Sequence, residues 1–161
     1  MIALSIEKGR EHLRKYGAEH RVMEFEVSSA TVELAAKAVG TEGKRIAKTL
    51  SFLLSDGAIL IVAAGDAKID NKKFKQTFSQ KAKMLTYEQV EEMIGHSVGG
   101  VCPFGINEGV RVFLDESLKR FETVFPAVGS SNSAIERNME ELEKFSECDG
   151  WVDVCKLPEE E

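Results

Sequence analysis

The strongest constraint on the fold is a pair of adjacent apolar runs, 46–54 and 58–64, separated only by Ser55-Asp56-Gly57. Each run has the length and composition of a strand, and a polar turn ending in glycine between two such runs predicts a β-hairpin. The first run carries one discordant residue. Side chains alternate faces along a strand, so Lys48 shares a face with Ile46, Leu50, Phe52 and Leu54. A lysine there either snorkels to water from the end of the strand or places a cation at the floor of a pocket, facing a phosphate or carboxylate.

The remaining elements follow from periodicity and punctuation. Ile2, Ile6, Gly9, Leu13 and Tyr16 recur at helical spacing, with Gly17 as the stop. Met23, Phe25 and Val27 alternate with glutamates and predict a strand. Ser28 or Ser29 is the expected N-cap of a helix carrying Val32, Ala35, Ala36 and Val39, ended by Gly40. Asp70 is expected to cap a short helix bearing Phe74 and Phe78, and Thr86 with Gln89 forms a capping box for a helix carrying Val90, Met93 and Ile94. A glycine-rich loop spans 96–109, followed by strands near 110–114 and 122–127. A turn at 129–132, a helix near 139–145 and a last strand over 151–155 complete the chain. Irregular interleaving with hairpin links predicts an α+β fold with a mixed, largely antiparallel sheet.

At 161 residues the chain is long enough for one domain with a real core. It has no apolar run long enough for a membrane span and no signal-like N-terminus. Three cysteines without C-x-x-C spacing, and three histidines that form no ligand spacing with them, predict reduced thiols in a cytoplasm and no metal site. The net charge of −6 argues against a protein that coats long nucleic acid, and no DNA-binding motif is present. Six lysines nevertheless fall within 68–83 against the single acid Asp70, either a solvated helix face or a local basic surface on an acidic protein.

Three further features could carry chemistry. In the stretch Val98-Gly99-Gly100-Val101-Cys102-Pro103-Phe104-Gly105 the adjacent glycines admit close backbone approach, and exposed amides there could hold an oxyanion. The alternative is a structural turn. Cys102 follows His96 by six residues, which allows a thiol nucleophile with a histidine base, though a free cysteine is more often a small buried apolar residue. Asp66 reads first as a turn residue and second as a pocket residue, and the acidic end of the chain as a solubilising tail.

Taken in order, these pieces resemble the YbaK family and the editing domain inserted in bacterial prolyl-tRNA synthetases. The resemblance rests on the stretches from Ser29 to Ala36, Ile46-Ala47-Lys48-Thr49-Leu50, Ala64-Gly65-Asp66, Val98 to Gly105, Phe121 to Gly129, and Trp151-Val152-Asp153-Val154. It implies a single domain over 1–161, with a curved, barrel-like mixed sheet flanked by helices. It implies hydrolysis of the ester between an amino acid and the 3′ end of tRNA, with no cofactor. By likeness Lys48 is the pocket lysine, and Gly99, Gly100 and Pro103 form the loop that binds the terminal adenosine and the reacting ester. Val101 and Cys102 lie within that loop, and Thr31, Gly129 and Ser130 fall where relatives line the pocket. The implied partner is the acceptor end of an aminoacyl-tRNA, with a prolyl-tRNA synthetase as an optional second. The sequence Ser130-Ser131-Asn132-Ser133 departs from a more basic stretch in the family, so cysteine, alanine and proline all stay open as the amino acid removed. A module that binds aminoacyl-tRNA or an amino acid without hydrolysing it is the alternative, and a Cys102 thiol enzyme a third reading.

Overall fold

The computed structural model describes residues 5–29, 31–96, 101–130 and 132–158. Its core is the hairpin of β2 (Ile46–Leu54) and β3 (Gly57–Ala64), paired antiparallel from Ala47↔Ala64 to Leu54↔Gly57. Residues 59–64 are all 0% exposed, which is why their sequence is a continuous apolar run rather than an alternation: both faces of β3 are covered.

Around this hairpin a six-stranded sheet curls into a half-barrel. The other members are β5 (Arg111–Asp115), β6 (Thr123–Pro126), β8 (Arg137–Asn138) and β9 (Gly150–Val152), in the order β8-β6-β2-β3-β5-β9. The sheet is mixed, as the sequence predicts. The antiparallel share is smaller than expected: β2–β6, β3–β5 and β5–β9 are parallel, while β2–β3 and β6–β8 are antiparallel. Connections long enough to return to the same end of the sheet make those parallel pairings possible. Two small antiparallel pairs lie beside it. They join β1 (Met23–Glu24) to β7 (Ser133–Ala134), and β4 (Lys68–Ile69) to β10 (Cys155–Lys156).

Helix α1 (Ser5–Arg14) buries Ile6 and Leu13, and α2 (Val32–Val39) packs Ala35 and Ala36 against Ile46 and Phe125. The cap of α2 differs from the sequence expectation. Thr31 is the N-cap, its hydroxyl accepting from Leu34 N at 3.1 Å, and Ser29 is buried upstream. Asp70 caps α3 (Asn71–Phe78) as predicted. The capping box of Thr86 and Gln89 opens α4 (Tyr87–Gln89), which widens at once into a π-helical turn over Val90–Ile94. Helix α5 (Met139–Ser146) follows β8.

Two predicted strands are shorter or broken. Of the first strand, Met23 and Glu24 pair in register with Ala134 and Ser133, and Phe25 N donates to Asn132 O at 2.8 Å beyond the end of the strand. The last strand divides into β9 and β10 because Asp115, buried beneath it, accepts from Val154 N at 2.9 Å and from Ser117 N at 2.9 Å. A buried carboxylate takes its hydrogen bonds from the main chain, and those bonds displace strand pairing at that point.

Candidate functional site

The site begins as a break in the sheet. On one edge of β2 the ladder with β6 ends at Ala47↔Pro126. Main-chain partners resume on that edge at Ser51, whose carbonyl accepts from Leu85 N at 3.2 Å, and at Leu53, whose N–H donates to Lys83 O at 2.8 Å. Thr49 lies between these two stretches. The break opens a cleft of about 250 Å³ floored by Ala47, Thr49 and Ser51, alternate residues that share one face of β2. Ile46 and Lys48 join the lining at the start of the strand. Thr31, Val32 and Ala35 of the α2 region form one wall, and Met84, Leu85, Tyr87 and Val90 another. Val101, Ala127 and Ser133 close it.

Lys48 neither snorkels to bulk water nor points freely into the cleft. It is half-buried, and its ammonium donates to Gly65 O at 3.3 Å and to Ala67 O. Those carbonyls belong to the turn that ends β3. Desolvation holds the Lys48 pKa below the ordinary lysine value, partly offset by Cys155 and Asp66. Asp66 proves to be a structural residue of the same turn. Its carboxylate takes a two-pronged contact from Arg120, with Nη1 to Oδ2 at 3.2 Å, which holds its pKa below the usual range. Gly65 is required by close approach, since a Cβ there would lie 2.0 Å from Gly43 O.

The other sequence-selected residues divide into three groups. Thr31 and Val101 line the cleft with Lys48. Gly99 and Gly100 lie outside the described residues. Cys102 and Pro103 are buried in the core and are not among the lining residues; Gly129 and Ser130 sit behind the cleft. Gly129 turns the chain with φ +86°. Ser130 Oγ donates to Asn132 Oδ1 at 2.9 Å and lies 2.8 Å from the hydroxyl of Ser133, which reaches the lining itself.

Cys102 and His96 do meet, with Sγ 3.5 Å from Nε2, but the geometry opposes a thiol nucleophile. His96 Nε2 is 2.7 Å from Phe104 O. A carbonyl only accepts, so Nε2 carries the proton and has no lone pair to take one from the thiol. Cys102 is 0% exposed, and burial pushes its pKa up to about 12. It is a buried apolar residue.

None of the lysines of 68–83 lines the cleft. Lys73 is a structural contact, donating to Asp153 at 3.2 Å and to Cys155 O at 2.8 Å. Among the described residues no cluster of histidine, cysteine or carboxylate side chains could hold a metal ion. Nor is any helix among them long and apolar enough to cross a membrane.

Sequence reasoning missed Ser29, Thr49, Ser51, Met84 and Tyr87. Thr49 and Ser51 were legible in principle as two hydroxyls two residues apart in an otherwise apolar strand. Met84 and Tyr87 are exposed, at 56% and 75%, at the cleft mouth, and only the fold brings them there.

A family model of the aminoacyl-tRNA editing domain matches residues 26–145. The chain is 56% identical to YwhH, an uncharacterized protein of Bacillus subtilis (strain 168), over 95% of its own length and 98% of that protein's. It is 28% identical to a proline–tRNA ligase of Thermosipho melanesiensis over 77% of this chain, which spans only 22% of the ligase. It superposes with a TM-score of 0.86 at 29% identity on the crystal structure of a protein suggested to be a trans-editing enzyme for prolyl tRNA synthetase, covering 97% of this chain and 99% of that one.

Proposed function

Because this chain belongs to the aminoacyl-tRNA editing domain family, we propose that it is a trans-acting deacylase that hydrolyses the ester of a mischarged tRNA, such as a cysteinyl or alanyl ester on a proline tRNA. The observation that carries this reading is that Lys48 of β2 and Val101 of the glycine-rich loop, far apart in sequence, line one small cleft. The cleft is narrow and largely apolar, as a site for a small amino acid at the end of a single strand should be.

The chemistry needs no side-chain nucleophile. An aminoacyl ester is already activated, and the neighbouring ribose hydroxyl helps to place a water. The protein then has to orient the ester and stabilise charge on the carbonyl oxygen as water attacks. Lys48 supplies a fixed positive charge for that task. The backbone N–H groups of Gly99, Gly100 and Val101 are the proposed cradle for the ester and terminal adenosine, in a loop whose end is fixed by Pro103, which has no N–H to donate, with Thr31, Cys102, Gly129 and Ser130 supporting the pocket. The substrate would be met in the cytoplasm, with or without a prolyl-tRNA synthetase in attendance.

The test is loss of label from a panel of cysteinyl-, alanyl- and prolyl-tRNA, with wild type beside Lys48→Ala. Turnover by the wild type that falls by about a hundredfold or more in the variant supports the reading. Binding without turnover across the panel would favour a module that holds aminoacyl-tRNA, and the role given to Lys48 would be withdrawn.

A further inference from the structure

Four large apolar side chains are exposed among the described residues, and two of them, Met84 and Tyr87, stand together at the mouth of the cleft. Their exposure is not that of a loose segment. Leu53 N donates to Lys83 O at 2.8 Å and Leu85 N to Ser51 O at 3.2 Å, so the chain on both sides of Met84 is tied to the edge of β2. Tyr87 is the first residue of α4, set directly after the N-cap by the capping box of Thr86 and Gln89. The chain's other tyrosine and its tryptophan are both engaged. Tyr16 stacks on Phe145 at 4.8 Å and donates to Glu147, and Lys119 lies 4.4 Å from the Trp151 ring centre. Among the described residues no ring or cation lies against Tyr87, which is 75% exposed. An aromatic face held in water on a fixed backbone is preorganised to bury itself against a ligand.

We propose that Tyr87 is a stacking platform for one base of the single-stranded RNA end that carries the acyl group, with Met84 extending its apolar surface. This rests on the editing reading above. An acyl group and ester seated in a cleft of about 250 Å³ leave the bases of their strand at its mouth, where Tyr87 stands. Every base has a π-face, so one ring holds any of them without reading its identity. The phosphates that come with the base call for cations. Lys81 and Lys83, on the same segment, are exposed and pair with no acid among the described residues. The exposed acids Glu88, Glu91 and Glu92 follow Tyr87 in the chain, so the phosphates run towards the lysines. Two side chains offer the area of a base, far short of the roughly 800 Å² that each partner buries in a stable protein interface.

The experiment measures binding of a proline-tRNA minihelix whose terminal adenosine carries a cysteinyl, alanyl or prolyl group through an amide, which cannot be hydrolysed as an ester. Wild type, Tyr87→Ala and Tyr87→Phe are each tested on the intact RNA and on RNAs made abasic at each of the last three nucleotides in turn. Tyr87→Ala should weaken binding of the intact RNA by about tenfold, and Tyr87→Phe, which keeps the ring, should bind like wild type. At one position the abasic RNA should bind wild type about as weakly as Tyr87→Ala binds the intact RNA, and the two changes together should cost no more than either alone. Additive losses at all three positions, or a Phe variant as weak as the Ala variant, would overturn the proposal. So would unchanged RNA binding by Tyr87→Ala, including the case in which that variant instead loses self-association or binding to prolyl-tRNA synthetase. In each of those cases, turnover of the mischarged panel by wild type would leave the editing function standing. Coupled losses in binding with no turnover would keep the stacking role and reject the hydrolase. Failure of wild type to bind any of the RNAs would overturn both.

Discussion

Lys48 Nζ donates to the carbonyl oxygen of Gly65 at 3.3 Å, so the cation of one strand is held by the turn that ends its hairpin partner. Gly65 can offer that carbonyl only because its other face lies against the main chain at Gly43 and the side chain of Val32. A methyl group there has no room. Gly65→Ala should therefore destabilise the protein by about 3 kcal/mol, lowering Tm by roughly 6–12 °C. A thermal melt of the variant showing a shift of a degree or less would mean that the turn tolerates displacement and does not fix Lys48.

The three thiols differ in access. Cys102 and Cys155 are buried and Cys148 is partly exposed. Burial pushes Cys102 and Cys155 up to about 12, and raises Cys148 less far. The thiolate is the reactive form. A thiol-reactive dye should modify Cys148 alone in the native protein and the other two only on unfolding, and the native reaction should leave the proposed deacylase turnover unchanged. Rapid native labelling of Cys102, with loss of activity, would return the thiol enzyme to consideration.

His96 makes stability depend on pH. Its pKa lies below 6.5, with burial as the main cause and the Phe104 carbonyl opposing it. Above 6.5 both folded and unfolded forms are neutral, and the native state carries no penalty. As pH falls from 6.5 towards the folded pKa, the unfolded chain takes up a proton that the native one refuses. Stability is lost at about 1.4 kcal/mol for each pH unit in that window. His96→Gln, which keeps a donor for Phe104 O, should lose less stability than wild type between pH 7.5 and pH 5. Parallel urea titrations of the two proteins at both pH values check this, and identical losses would exclude His96 as the source.

Arg137 is 0% exposed, yet its Nε and Nη2 have no hydrogen-bond partner among the described residues. Nη1 donates to Glu136 O at 3.0 Å, Glu141 stands 3.7 Å away, and the guanidinium lies 4.9 Å from the Phe145 ring centre. Desolvation lowers its pKa. Glu141 retains its own contact with Arg21 at 3.1 Å, so removing Arg137 strands no buried charge. Arg137→Met, of similar volume, should leave the protein equally stable or more stable by about 1–3 kcal/mol in urea unfolding. A loss beyond about 1 kcal/mol would show that the guanidinium contributes more through Glu136 and Phe145 than its burial costs.

The central hairpin, the caps at Asp70 and Thr86 and the position of α5 were legible in the residues, because each is set by contacts within a few positions of itself. The split of the last strand was not. It depends on Asp115, distant in sequence, whose carboxylate captures Val154 N. The two-residue strands β4, β7 and β8 were invisible for the same reason: they exist only where a partner happens to lie alongside.

At the site, the sequence by itself determined that a lysine stands on an apolar strand and that a glycine-rich loop follows downstream, since both are statements about residue type and local spacing. Tertiary structure decided the rest. It ties the Lys48 ammonium to the end of β3, hides Cys102, and parts β6 from the 83–85 segment at Thr49. The physical reason is that burial and hydrogen-bond satisfaction belong to the packed chain. Whether a hydroxyl such as Thr49 is paired or free depends on which strand lies beside it, and that is settled by long-range pairing rather than by the residues on either side.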